Sequence, residues 1–327
     1  MSEKRQKYLL EPFLEIVSKN FILIRPGDST DFINKCSPED VDLINSTNIY
    51  FICKKPRLRF MEDSLFYDGV GLGIGFELST RDEIKNEFFI LPNYQWIFPS
   101  AIEFSVHKEK KSRFVVNWSN GNHSIIPIEL VINKLFIGNS FNFRSFLESE
   151  VFDYQVLYIG QSLGNAYKRI MRHEKLQQIL SDVVENEPYN EVFVLLINMS
   201  APYFTGIIDY RFYDDQSKNN FASLRNFVLN DKLSKKEIVD ITEACLIKHF
   251  SPPYNVILKN KFPNRDQKIL AKFQRYNINS VTVIIDTIAQ NLHLFSQKVR
   301  RNCIHKAETP LHKEDNRIIF QDVMNRE

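Results

Sequence analysis

Tyr158, Arg169, His173, Glu243 and Asn255 are the residues whose types and order could together perform one reaction. Hydrolysis of a phosphodiester needs a group that takes a proton from water. It also needs donors or cations that hold the charge of the transition state, and support for the leaving oxygen. A hard divalent cation prefers oxygen ligands, and Mg²⁺ often takes a single protein carboxylate and keeps its waters, so one glutamate can suffice. Arg169 and His173 lie four residues apart on an expected helix and would share one face of it. Arginine meets phosphate oxygens in pairs, and histidine can donate to phosphate or shuttle a proton. Taken singly, each residue has a plainer reading. Tyr158 is then a core aromatic, Arg169 and His173 a solvated pair, Glu243 a solvated helix carboxylate and Asn255 a turn residue. Only the joint order points to chemistry.

The elements that must position them are legible around these residues. Gln155-Val156-Leu157-Tyr158-Ile159-Gly160 reads as a buried strand ending at a glycine. Residues 166–181 read as one helix with Ile170, Leu176, Ile179 and Leu180 on its apolar side. Residues 191–197 form an apolar strand, and a polar, aromatic stretch at 200–232 follows. Ser234 and Glu237 make a capping box for a further helix with Ile238, Ile241, Cys245, Leu246 and Phe250 on its apolar side. Pro252-Pro253 stop that helix. Strand, helix, strand, helix in about a hundred residues is a small α/β module.

Upstream, residues 1–145 read as an α/β or mostly β region. A helix is expected over 8–24, strands at 49–52, 87–91 and 113–118, and a hairpin over 113–128 that turns at Ser119-Asn120-Gly121-Asn122. Gly69, Gly71, Gly73 and Gly75 alternate, but the Gly-Lys-Ser/Thr ending of a P-loop and the G-x-G-x-x-G spacing are both missing. A strand with close backbone neighbours, or a flexible turn, is expected there. The basic segments 54–59 and 107–113 are expected as solvated loops, with phosphate contact as the alternative. Downstream, residues 280–286 read as a strand, 291–295 as its partner and 316–320 as a third.

The bulk properties set wide bounds. The chain has 327 residues, 43% hydrophobic and 25% charged, which suits ordered cores and excludes a disordered chain. A net charge of +2 is too mild to argue for nucleic acid by itself. Residues 256–327 hold 13 Lys/Arg against 7 Asp/Glu, so a local basic surface could lie there. The four cysteines form no C-x-x-C pair, which excludes a structural zinc site of that type and suits reduced thiols. No secretory signal and no membrane-spanning run are read. The expectation is a soluble protein, cytoplasmic or nucleoid-associated.

The joint pattern resembles the GIY-YIG nuclease superfamily. That family carries Tyr-Ile/Val-Gly on its second strand, as in Tyr158-Ile159-Gly160. Arg and often His follow on its first helix, matching Arg169 and His173. A later helix bears the metal-binding Glu, then Leu-Ile and a Pro-x-Asn turn, as in Glu243-Ala244-Cys245-Leu246-Ile247 and Pro253-Tyr254-Asn255. The resemblance covers roughly residues 146–258. It implies a GIY-YIG-like α/β sandwich flanked by a mostly β N-terminal domain (1–145) and a β-containing basic extension (259–327). By the same resemblance, Tyr158 is the base or orients the attacking water, and Arg169 stabilises the phosphate. His173 assists it, Glu243 holds one Mg²⁺ or Mn²⁺, and Asn255 supports the geometry. Gly160 lets the backbone turn beside the substrate.

One departure stands out. The family's first strand ends in Gly-Ile-Tyr about ten residues before the second motif, and Phe146-Leu147-Glu148-Ser149-Glu150 holds no such tyrosine. Either the strand is displaced, with Val131–Phe136 as a candidate, or the tyrosine is lost and Tyr158 works without it. The expected activity is metal-dependent endonuclease cleavage of nucleic acid, DNA first. The alternative is a catalytically weakened nucleic-acid-binding or regulatory protein on the same scaffold.

Overall fold

The computed structural model describes residues 10–28, 37–68, 71–92, 98–137, 150–164, 166–208, 225–226, 233–256, 268–276 and 278–311. The chain opens with β1 (Leu10–Ile24), α1 (Pro38–Ser46), β2 (Ile49–Tyr67), β3 (Gly71–Ser79) and β4 (Ile84–Pro92). Then come β5 (Ala101–Val106), β6 (Arg113–Trp118), β7 (His123–Pro127) and α2 (Ile128–Ile137). The next block is β8 (Asp153–Gln161), α3 (Ala166–Met171), α4 (Glu174–Asn186), β9 (Asn190–Met199), β10 (Tyr203–Ile208) and α5 (Lys235–Phe250). It closes with α6 (Lys268–Arg275), β11 (Ser280–Asp286), β12 (His293–Phe295) and β13 (Ile304–Pro310). The class is mixed α/β: a large sheet with few helices.

That sheet runs β12-β8-β2-β9-β1-β11-β13, with β3 branching from β2, β4 pairing with β3, and β10 branching from β1. A separate three-stranded sheet holds β5-β6-β7. Its β6–β7 hairpin is the one expected over 113–128, with Arg113 opposite Pro127. Strands of the large sheet come from all three expected segments, 1–145, 146–258 and 259–327. The strand that sits between β8 and β9 is β2, from far upstream.

The 19 residues of β2 do two jobs. Ile49–Lys54 pair antiparallel with β8, while Arg57–Tyr67 pair with β3. Along the first half, side chains alternate between two cores, as a strand demands. Ile49, Phe51 and Cys53 join the core under α5, whereas Tyr50 and Ile52 join the core under α4. The second half borders a third core that includes Leu58, Phe60, Phe76, Phe114 and Phe152.

Several expectations are corrected. Residues 10–24 form a strand, not a helix: Leu14 and Ile16 bury on one face, and the strand pairs with β10 and β11 before a bulge at Ser18/Asn20 hands it to β9. Val131–Phe136 lie in α2, so no displaced strand is there. Residues 54–59 are not a solvated loop but part of β2, with Lys55 fully buried and hydrogen-bonded to the Val151 carbonyl at 2.9 Å. The segment at 293–295 pairs parallel with β8 rather than with β11. The strand expected at 316–320 lies outside the described residues.

Gly71, Gly73 and Gly75 lie in β3, a strand as expected, but the neighbours closest to Gly73 and Gly75 are side chains rather than backbone. A β-carbon at Gly73 would fall 2.2 Å from the Phe66 ring, and one at Gly75 would fall 2.4 Å from Ser64 Oγ. Among the described residues, no helix is long and apolar enough to cross a membrane.

Candidate active site

The site is assembled where β2, β8, α3, α4 and α5 meet. Tyr158 sits on β8, half-buried, and pairs across the ladder with Ile52; Gly160, two residues on, pairs with Tyr50 of β2. The Tyr50 and Tyr158 rings lie 6.0 Å apart, centroid to centroid. His173 completes a triangle, 6.3 Å from Tyr50 and 5.8 Å from Tyr158. Tyr50 thus comes from far upstream of residues 131–150, on the strand antiparallel to β8.

A hydrogen bond links the Tyr50 and Tyr158 hydroxyls, and it pulls the two phenols in opposite senses, Tyr50 up and Tyr158 down. Burial raises Tyr50 far above the ordinary range, and the charge and hydrogen bond of Tyr158 raise it further. Burial also raises Tyr158, and the Glu243 charge adds to that. The bond from Tyr50 and the charge of Arg169 pull Tyr158 back down. Burial shifts both phenols up, and of the two only Tyr158 is lowered by the bond between them.

Gly160 has a different task from the expected one. Its backbone does not turn there but continues in the strand to Gln161. A β-carbon at residue 160 would stand 2.4 Å from Tyr50 Cζ and 2.9 Å from Tyr158 Cε1. Glycine makes room for the two rings.

Arg169 and His173 do not share a helix. The helix expected over 166–181 is broken, with α3 ending at Met171 and α4 starting at Glu174. His173 has extended backbone and caps α4, its Nδ1 accepting from the Lys175 amide at 3.2 Å. With Nδ1 used as an acceptor, the neutral ring carries its hydrogen on Nε2. Burial and the Arg169 charge lower the His173 pKa and favour that neutral form. Arg169 is exposed, and its charge acts on Tyr50, Tyr158, His173 and Glu243 alike.

Glu243 lies on α5, whose capping box at Ser234 and Glu237 forms as expected. Burial and the Asp240 carboxylate one turn earlier push its pKa up to about 7, against the pull of Arg169 and a hydrogen bond from the Gln161 side chain. The Gln161 Oε1 is buried with no hydrogen-bond partner. Among the described residues, no group of three or more His, Cys, Asp or Glu could hold a metal. The Glu243 carboxylate, the partnerless amide oxygen of Gln161, whose side chain bonds to it, and the nearby Asp240 are still an all-oxygen donor set. It fits a hard cation that keeps most of its waters.

Asn255 does what its turn position alone does not reveal. Its Oδ1 accepts from the Ile159 amide at 2.9 Å, and its Nδ2 donates to the Ile159 carbonyl at 2.8 Å. The turn after α5 is thereby fastened to the backbone between Tyr158 and Gly160. Tyr254 adds a backbone bond to Leu157 and a hydroxyl bond to Asp182 of α4 at 2.6 Å. One tripeptide after the helix thus fixes β8 against both α5 and α4.

Three participants escape a reading of the sequence. Tyr50 has a signal, the dipeptide Ile49-Tyr50, but at an unexpected distance. Gln161 and Asp240 have none beyond adjacency to Gly160 and a one-turn offset from Glu243. Comparison of the chain with family models, with curated proteins and with solved structures returned no match.

Proposed function

We propose that this chain is a metal-dependent endonuclease of the GIY-YIG type that hydrolyses phosphodiester bonds in DNA. The observation that carries this reading is the triangle of Tyr50, Tyr158 and His173, closed by residues from three separate segments beside Arg169 and Glu243. Structural packing has no need to gather two hydrogen-bonded phenols, a neutral imidazole, an exposed guanidinium and a strained carboxylate at one place. Phosphodiester hydrolysis uses each of them.

Tyr158 serves as the base that takes the proton of the attacking water, and Tyr50 supports its ionised form by donating to its oxygen. Arg169, exposed and off α4, meets the phosphate oxygens with its planar fork. His173, neutral with its hydrogen on Nε2, donates a hydrogen bond to the same phosphate. Glu243, with Gln161 Oε1 beside it, would hold Mg²⁺ or Mn²⁺. When bound, such an ion supplies charge stabilisation to the phosphate and lowers the proton affinity of nearby oxygens. Asn255 and Gly160 position β8 and touch no substrate. The weakened-enzyme alternative rests on an absent first-strand tyrosine, and the position of Tyr50 beside Tyr158 supports the active reading over it.

The test is nicking of supercoiled plasmid by the full chain with Mg²⁺ or Mn²⁺. Wild type is expected to nick, and Glu243→Ala or EDTA to abolish it. Folded wild type that leaves plasmid and a panel of branched DNAs intact in both metals would refute the reading.

A further inference from the structure

The basic surplus of the C-terminal segment finds a place at the far end of α5. Lys248 and His249 close that helix, and the loop carrying Lys298 and Arg300 folds against them. Together they line a cavity of about 430 Å³ whose only acid among the described residues is Glu308, itself hydrogen-bonded to Ser280 at 2.9 Å.

Two features of this cavity stand out, a lysine that caps the last turn of α5 and a histidine nitrogen without a partner. First, Lys298 Nζ donates to the Lys248 carbonyl at 3.0 Å, which brings two lysines of like charge together. Burial and the Lys298 charge lower the Lys248 ammonium's pKa. Second, the His249 Nε2 is buried with no hydrogen-bond partner. Its ring lies edge-on to Phe250 at 4.9 Å and 5.7 Å from the His305 ring, and neither contact uses that nitrogen. Buried polar atoms are nearly always satisfied, so this nitrogen points to a partner from outside the chain, an acceptor where the neutral ring carries its hydrogen on Nε2.

We propose that this cavity is a second anion site that binds a phosphate group through Lys248, His249, Lys298 and Arg300. It stands apart from the proposed active site. Lys248 lies five residues beyond Glu243, about 140° around the helix and about 7.5 Å along it. A scissile phosphate held near Glu243 does not reach it. The phosphate comes either from another stretch of a bound nucleic acid or from a free phosphorylated small molecule. The chemistry of recognition is the same, and the inference does not rest on cleavage at Glu243.

The test uses the full chain with Glu243→Ala, so that nothing is cut, and follows the histidine ring resonances, with His249 assigned by His249→Gln. Inorganic phosphate is expected to shift the His249 resonance, and Lys298→Glu/Arg300→Glu, two exposed substitutions, to abolish the shift. Duplex and single-stranded DNA form the second arm. If the phosphate belongs to nucleic acid, DNA moves the same resonance, and the double variant lowers the salt dependence of binding by about 0.9 in slope for each phosphate it no longer neutralises. If DNA binds with an unchanged slope while phosphate still shifts His249, the site serves a free phosphate compound. A His249 resonance that neither phosphate nor DNA moves, or that moves equally in the double variant, overturns the proposal. Plasmid nicking in wild type is scored separately, so failure of the nuclease reading leaves this outcome legible.

Discussion

The Tyr50 ring lies across the backbone of Gly160, so closely that a β-carbon at residue 160 would stand 2.4 Å from both its Cζ and its hydroxyl oxygen. The glycine of β8 is therefore tied to a tyrosine on another strand, more than a hundred residues upstream. Gly160→Ala must displace the ring, because the backbone there is held by the β2 ladder and, at Ile159, by Asn255. Overpacking of this kind costs about 1–3 kcal/mol. Urea unfolding is expected to show that loss. Tyr50→Ala should cost less in the Gly160→Ala background than in wild type, a coupling that a double-mutant cycle reads directly. Additive losses would mean that the two residues do not compete for space.

Removing the hydroxyls alone separates packing from chemistry. Tyr158→Phe and Tyr50→Phe keep the rings that fill the gap over Gly160. Loss of a general base typically costs 10²–10⁴-fold in rate, so Tyr158→Phe is expected to lower plasmid nicking by about that range. Tyr50→Phe removes only the donor that supports Tyr158 and should cost less, about tenfold. Both proteins should unfold at nearly the wild-type urea concentration. Equal rates for Tyr158→Phe and wild type would place the base elsewhere.

Much of this site is legible in local sequence, and the reasons for the misses are physical. Tyr158, Glu243 and Asn255 each sit in a short segment whose pattern marks its element: a buried strand, a capped helix, a Pro-Pro stop. Tyr50 escapes a local reading because its strand lies more than a hundred residues before β8. In the fold, the whole third core, from Leu58 to Phe152, is inserted between the two strands. A ladder pairing carries no trace of sequence distance. The broken helix is hidden for another reason. Residues 166–181 keep an apolar period through the break, and histidine is not among the residues that usually announce a cap. β1 is ambiguous because Phe13, Leu14, Ile16 and Val17 satisfy a helical spacing as well as an alternating one, and long-range pairing with β9, β10 and β11 decides between them.

Asn255 tests whether the clamp on β8 is structural. Replacing it with Ala strands the amide and carbonyl of Ile159, which are buried and otherwise paired to its side chain. An unsatisfied buried group costs about 1–3 kcal/mol. Asn255→Ala is therefore expected to lose stability, and nicking should fall with it as Tyr158 loses its fixed position. Asn255→Asp keeps the acceptor but loses the donor and adds a buried charge, so it should be no better. Stability within a few tenths of a kcal/mol of wild type for Asn255→Ala would show that the clamp contributes nothing.

Glu243 makes a prediction that needs no substrate. Its pKa stands near 7 in the fold against 4.5 for an ordinary glutamate. The folded state therefore holds this proton more tightly than the unfolded chain does. Stability from this group is fully present below about pH 4.5, is lost as pH rises towards 7, and stays lost above it. The loss amounts to at most about 3 kcal/mol. Glu243→Gln cannot ionise and escapes it. In EDTA, the variant is expected to gain on wild type steadily between pH 5 and pH 8, as read by urea midpoints. Adding Mg²⁺ or Mn²⁺ at pH 8 should then stabilise wild type, because a ligand that binds only the folded form shifts the balance by mass action. Glu243→Gln should respond less. A stability difference that ignores pH would mean that Glu243 ionises as an exposed carboxylate does. A metal response identical in both proteins would mean that the cation binds somewhere other than beside Glu243 and Gln161.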